Sequence, residues 1–101
     1  MKIIKKYKLS KLAEEDLLDI FQNGIDYFGK TKAQQYSLTI EKTFRRLESF
    51  PNIGKPRDEL FPGALSFPVG SHIVFYRKTP DGIEVARVLH KRMDYGQYFD
   101  S

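Results

Sequence analysis

The chain has 101 residues, enough for one domain (1–101) and too few for two. Hydrophobic residues make up 41% and charged residues 30%, the balance of a folded globular chain rather than a disordered one, and the absence of cysteine excludes disulfides and thiolate metal sites. Lys and Arg outnumber Asp and Glu by 17 to 13, for a net +4, too weak a signal to establish nucleic-acid binding and equally suited to an acidic protein partner.

Along the chain, Lys5–Leu9 alternates and reads as a short strand with Tyr7 and Leu9 on one face. Ser10 follows as an N-cap, and the acids Glu14, Glu15 and Asp16 suit the first turn of a helix. Small or apolar residues at 13, 17, 20, 21, 24 and 28 keep a 3.6-residue period, which predicts an amphipathic helix over 11–28. Gly29 is positioned to end it and Thr31 to cap the next helix, predicted over 32–49 on the stripe Ala33, Tyr36, Ile40, Phe44 and Leu47. Phe50-Pro51 stops that helix, because a proline disfavours a helical residue before it. So short a connection makes the two an αα-hairpin.

Residues 51–64 read as a loop, long for a compact domain and anchored by Leu60 and Phe61. Three strands follow: 65–69, demoted to an edge by Pro68; 72–78, after a Gly70-Ser71 turn; and 83–90. Thr79-Pro80-Asp81-Gly82 suits a type I turn with Gly82 as a left-handed bulge. The tail 91–101 shows no period. The layout is β-αα-βββ, an α+β domain with the helical hairpin packed on one face of an antiparallel sheet.

If Thr79 faces Ile83, then Ile73 faces Leu89, Phe75 faces Arg87 and Arg77 faces Val85 on one side of the last hairpin. On the other side His72 meets His90, Val74 meets Val88, and Tyr76 meets Ala86. The Ile73/Phe75/Val85/Leu89 face is the larger apolar surface and is assigned to the helices, with Arg77 and Arg87 reaching from its margin toward Glu15 or Asp19. The face of Val74, Tyr76, Ala86 and Val88 is then left for a partner, or for the tail with Met93, Tyr95, Tyr98 and Phe99, to cover.

The chemistry-bearing residues are few. Two opposed histidines without a third ligand do not make a metal site, and no cofactor is expected. His72, His90, Arg92 and Tyr98 could supply a base, an acid and a cation for attack of a 2′-hydroxyl on RNA. The basic stretch Arg87–Arg92 could instead meet something anionic. The longest apolar run, Ile73–Tyr76, is four residues, and the basic start Met1–Lys6 lacks the apolar stretch of a signal peptide. No membrane partner is expected, and the default placement is cytoplasmic.

Four blocks carry a resemblance: Leu9-Ser10 with Leu12-Ala13-Glu14-Glu15-Asp16-Leu17; Phe50-Pro51-Asn52-Ile53-Gly54-Lys55-Pro56-Arg57-Asp58-Glu59-Leu60; Phe67-Pro68-Val69-Gly70-Ser71-His72-Ile73-Val74-Phe75-Tyr76-Arg77; and Arg87-Val88-Leu89-His90-Lys91-Arg92-Met93-Asp94. In order, over about residues 5–95, they resemble the ParE toxins of the ParE/RelE superfamily of type II toxin–antitoxin modules. The resemblance implies the same β-αα-βββ fold, a cognate ParD-like antitoxin with an acidic C-terminal segment, and action on DNA gyrase by stabilising the cleaved-DNA complex rather than by catalysis. It maps toxicity to His90, Lys91, Arg92 and Met93 and implies an antitoxin surface at the strip Val74, Tyr76, Ala86 and Val88 and at the groove on the helical hairpin; sequence-specific nucleic-acid binding is not expected. The RelE branch, whose members cleave mRNA on the ribosome, is the alternative: this chain keeps Arg92 and, six residues on, Tyr98, but has His72 where RelE-like toxins place an arginine.

Overall fold

A computed structural model describes residues 7–99; the basic residues Lys2, Lys5 and Lys6, and the start of the predicted first strand, lie outside the described residues. Strand β1 (Tyr7–Leu9) leads into helix α1 (Lys11–Phe28), and helix α2 runs over Lys30–Ser49. Short strand β2 (Lys55–Pro56) precedes β3 (Leu65–Val69), β4 (His72–Thr79) and β5 (Gly82–His90), and a 3-10 turn, Tyr95–Tyr98, follows.

Ser10 caps α1 as expected: its Oγ accepts the Ala13 N–H at 3.0 Å and donates to the Ala86 carbonyl at 2.7 Å. The helical hairpin is tighter than predicted. Gly29 alone separates α1 from α2, at φ 88°, where a side chain would be strained, and Thr31 lies inside α2 rather than capping it. Gly24 and Ala33 bring the helices close, since a Cβ on Gly24 would stand 3.2 Å from that of Ala33.

The sheet order is β1-β5-β4-β3-β2, with β1 parallel to β5 and the other pairs antiparallel, so the sheet is mixed. Pro68 stands beyond the reach of β2, which pairs only with Leu65 and Ser66, so its missing N–H costs no ladder bond there. The β4–β5 register matches expectation at the far end: His72↔His90, Ile73↔Leu89, Val74↔Val88 and Phe75↔Arg87. Nearer the turn it departs. Thr79 pairs with Gly82 rather than Ile83, Gly82 is not left-handed, and the extra residue is taken up at Ala86, between Tyr76↔Val85 and Phe75↔Arg87. A bulge moved from the turn to mid-strand changes which side chains share a face.

That displacement overturns the predicted docking map. Val85 and Ile83 join Val74, Tyr76 and Val88 on the face beneath the helices, packed with Ala13, Ile40, Phe44 and Leu47. Val74 and Tyr76 are 0% exposed and Val88 2%, so the predicted antitoxin strip of Val74, Tyr76, Ala86 and Val88 is not an open surface; Ala86 is the bulge residue whose carbonyl Ser10 holds. The opposite face carries Phe75 and Leu89, both buried. There the C-terminal segment covers the sheet: Tyr95 and Phe99 each place a ring centroid 5.0 Å from that of Phe75, and Phe61 packs on Phe99 at 5.4 Å. The molecule is therefore helices, sheet and tail in three tiers.

The 51–64 loop is anchored mainly by Tyr76, not by Leu60. The Tyr76 hydroxyl donates to the Pro51 carbonyl at 2.7 Å and accepts the Gly54 N–H at 3.0 Å, and a Cβ on Gly54 would collide with that hydroxyl. Burial pushes the Tyr76 phenol up, partly offset by the Gly54 N–H.

Candidate functional site

A cleft of about 710 Å³ opens where the end of the helical hairpin meets the ends of β4 and β5. Asp19, Asn23 and Tyr27 of α1 stand on one side, Lys32 and Tyr36 of α2 on the other, and His72, His90 and Met93 form the sheet-side rim. Val88 lies at its floor.

Tyr36 organises the rim. Its hydroxyl donates to the Val69 carbonyl at 3.1 Å, accepts the Ser71 N–H at 3.0 Å and lies 2.7 Å from His72 Nδ1. The turn it grips needs Gly70 twice over: φ is +55°, and a Cβ there would run into the Tyr36 ring. Burial pushes the Tyr36 phenol up, against the Ser71 N–H that lowers it. Burial and the neighbouring His90 hold the His72 imidazole below the usual histidine range, with Asp16 pulling the other way.

His72 and His90 form the expected cross-strand pair, ring centroids 5.3 Å apart and nearly edge to face. His90 Nδ1 accepts the Arg92 backbone N–H at 3.1 Å, closing the turn after β5. Lys91 N–H donates to the Ser71 carbonyl and Met93 N–H to the His90 carbonyl, both at 3.0 Å.

Arg87 makes no contribution to an open basic patch. Its Nε and Nη2 each donate at 2.8 Å to the Asp16 carboxylate, and one Asp16 oxygen also accepts the Val88 N–H at 3.0 Å. Asp16 holds the Arg87 guanidinium above its ordinary range, against desolvation. The predicted partners Glu15 and Asp19 are corrected to Asp16, and Arg77 pairs across the strand with Glu84 at 2.7 Å.

Of the four candidate nuclease residues, the fold brings His72 and His90 together and sets Arg92 on the adjoining turn with its side chain exposed. Tyr98 is elsewhere: its ring lies 5.3 Å from the Arg87 guanidinium and does not line the cleft. Of the candidate gyrase contacts, His90 and Met93 line the cleft and Lys91 and Arg92 are exposed beside it. Tyr36, Asp16 and Tyr27 were not foreseen as site residues. Tyr36 carried a signal, as the one hydroxyl on the buried stripe of α2. Among the described residues no group of three or more His, Cys, Asp or Glu could hold a metal, and no helix is long and apolar enough to cross a membrane.

A family described as ParE toxin of type II toxin–antitoxin system, parDE, matches residues 7–95. Toxin ParE1 of Mycobacterium tuberculosis is 40% identical over 90 residues, spanning 88% of this chain and 92% of that protein. Among solved structures, the chromosomal ParDE toxin–antitoxin system of P. aeruginosa superposes with a TM-score of 0.72 at 21% identity, over 83% of this chain and 92% of that one. The RelBE2 toxin–antitoxin complex of Mycobacterium tuberculosis gives 0.60 at 20% identity, over 84% and 95%.

Proposed function

Because this chain belongs to the ParE toxin family of type II toxin–antitoxin systems, we propose that it acts in the cytoplasm by binding DNA gyrase and stabilising the cleaved-DNA complex, and that a cognate antitoxin silences it. A protein that binds one state of its target better than the others shifts the target toward that state without doing chemistry of its own. The observation that carries this reading is the exposed turn Lys91–Arg92, held by three backbone N–H bonds at the rim of the cleft. With Arg87 committed to Asp16, Lys91 and Arg92 of that turn are the exposed cations just past the end of β5 among the described residues, and Lys32 adds a third at the cleft.

The antitoxin surface moves with the corrected faces. The cleft has an apolar flank, with Tyr27 and Phe28 exposed on α1 and Met93 across from them, and Asp19 and Lys32 at its borders. That combination suits an amphipathic segment with charges on both flanks.

A test is to add the purified chain to gyrase, ATP and supercoiled plasmid, then denature and digest the protein. Linear DNA is expected, and less of it with Arg92→Ala; supercoiled product alone refutes the proposal.

The second reading, ribosome-dependent mRNA cleavage, draws on one observation, the His72–His90 pair at the cleft. Tyr98 stacked on Arg87 speaks against it, since the fourth group of that constellation is held away. Primer extension on a translated mRNA would show cuts that vanish in His90→Ala if this reading were right, and none if the gyrase reading is.

A further inference from the structure

We propose that His90 is a positioning residue whose neutral imidazole latches the Lys91–Met93 turn at the cleft rim, and that protonation of His90 opens the latch. Its bearing on target binding rests on the gyrase reading; the latch itself does not.

Donors and acceptors decide the state of the ring. A backbone N–H can only donate, so the Arg92 N–H pointing at His90 Nδ1 from 3.1 Å requires a lone pair on that nitrogen. Neutral His90 therefore carries its proton on Nε2. When the ring takes a second proton, Nδ1 becomes a donor too, and two donors face each other. The bond is lost and its two N–H groups repel.

His72 next to it has a different kind of partner. Its Nδ1 lies 2.7 Å from the Tyr36 hydroxyl, and a hydroxyl can donate to a neutral ring or accept from a charged one. The Arg92 N–H facing His90 has no such choice.

The groups around the ring come from each element packed near it. From α1, Asp19 lines the cleft, and Asp16 is engaged by Arg87. From α2 come Lys32 and the Tyr36 phenol; from β4 comes His72, 5.3 Å away; on the His90 side stand Arg87, Lys91, Arg92 and Asp94. Opening the latch removes one of the three bonds that hold the turn carrying the exposed cations and leaves the two backbone bonds of Lys91 and Met93 to hold it alone.

The substitution that isolates the effect is His90→Asn. An asparagine carbonyl accepts the N–H two residues on, as in an Asx-turn, and does not titrate. The experiment measures the hydrogen-exchange protection of the Arg92 amide in the full chain by NMR at about pH 5 and about pH 8, corrected for intrinsic exchange. Wild type is expected to lose about fivefold of its protection at the lower pH, the worth of one hydrogen bond. His90→Asn should keep its protection at both, and His90→Phe should lack it at both, with the Leu89 amide reporting that each variant is folded. Arg92 protection that is the same at both pH values in wild type, or that still falls with acid in His90→Asn while Leu89 holds, overturns the proposal. Because the amide is read without gyrase, failure of the latch and failure of the gyrase reading are separate results.

Discussion

Asp16 holds Arg87 through both carboxylate oxygens, and one of those oxygens also takes the backbone N–H of Val88. The two side chains are only 12% and 15% exposed. The pair bolts α1 to β5 just past the end of β1, where the strand's outer edge would otherwise lack a partner for that N–H. Removing the acid strands a guanidinium and an amide together. Asp16→Ala should lower stability by about 3 kcal/mol, in the range for breaking a buried pair, read from the urea midpoint. A loss under about 0.5 kcal/mol, as for an ordinary surface change, would contradict it.

The same logic applies to Tyr76. Its hydroxyl is the shared partner of the Pro51 carbonyl and the Gly54 N–H. Tyr76→Phe leaves both without that partner and should cost about 2 kcal/mol. Gly54→Ala should cost more, because the methyl meets the ring as well as the hydroxyl. Thermal unfolding of the two variants ranks them.

The sheet faces make an opposite pair of predictions. Val74→Asp places an unpaired charge beneath the helices and should unfold the protein. Tyr27→Ala, at a residue 80% exposed, should change stability by no more than about 0.5 kcal/mol yet weaken antitoxin binding in a calorimetric titration. Antitoxin affinity unchanged in a folded Tyr27→Ala protein would remove the cleft from the antitoxin surface.

Stability should also depend on pH through His72. Burial and His90 lower its folded pKa below the unfolded value of about 6.5. Well above that pH both states are neutral and His72 adds nothing. As the pH falls below it, the unfolded chain takes up a proton that the folded chain resists, so stability is lost with acid, at most about 1.4 kcal/mol per pH unit. Melting temperature followed from about pH 8 to about pH 5 should fall less steeply in His72→Asn than in wild type.

Much of this architecture was legible before coordinates. Ser10, the period of α1 and α2, Pro51 and the Gly70 turn each carry a local physical signal, and the structure keeps them all. The His72↔His90 pairing comes out as expected because the hairpin does hold one surplus residue, at Ala86 rather than in the turn. The sheet faces were not legible. They depended on where one surplus residue sat, and Thr79-Pro80-Asp81-Gly82 offered a left-handed Gly82 that the chain does not use. Tertiary contact decides instead: Ser10, already capping α1, also takes the Ala86 carbonyl and holds the bulge mid-strand. The partner of Arg87 was obscured for a related reason. Glu15, Asp16 and Asp19 are neighbours in sequence, but Asp16 lies one helical turn after buried Ala13 and so turns toward β5.

Whether the chain poisons gyrase by binding is read from the yield of linear DNA as toxin is titrated into a fixed amount of gyrase with ATP and supercoiled plasmid. Linear DNA should rise and then saturate near equivalence of toxin and gyrase, and added antitoxin should prevent it. No linear DNA at any excess of folded toxin would mean that gyrase is not the target.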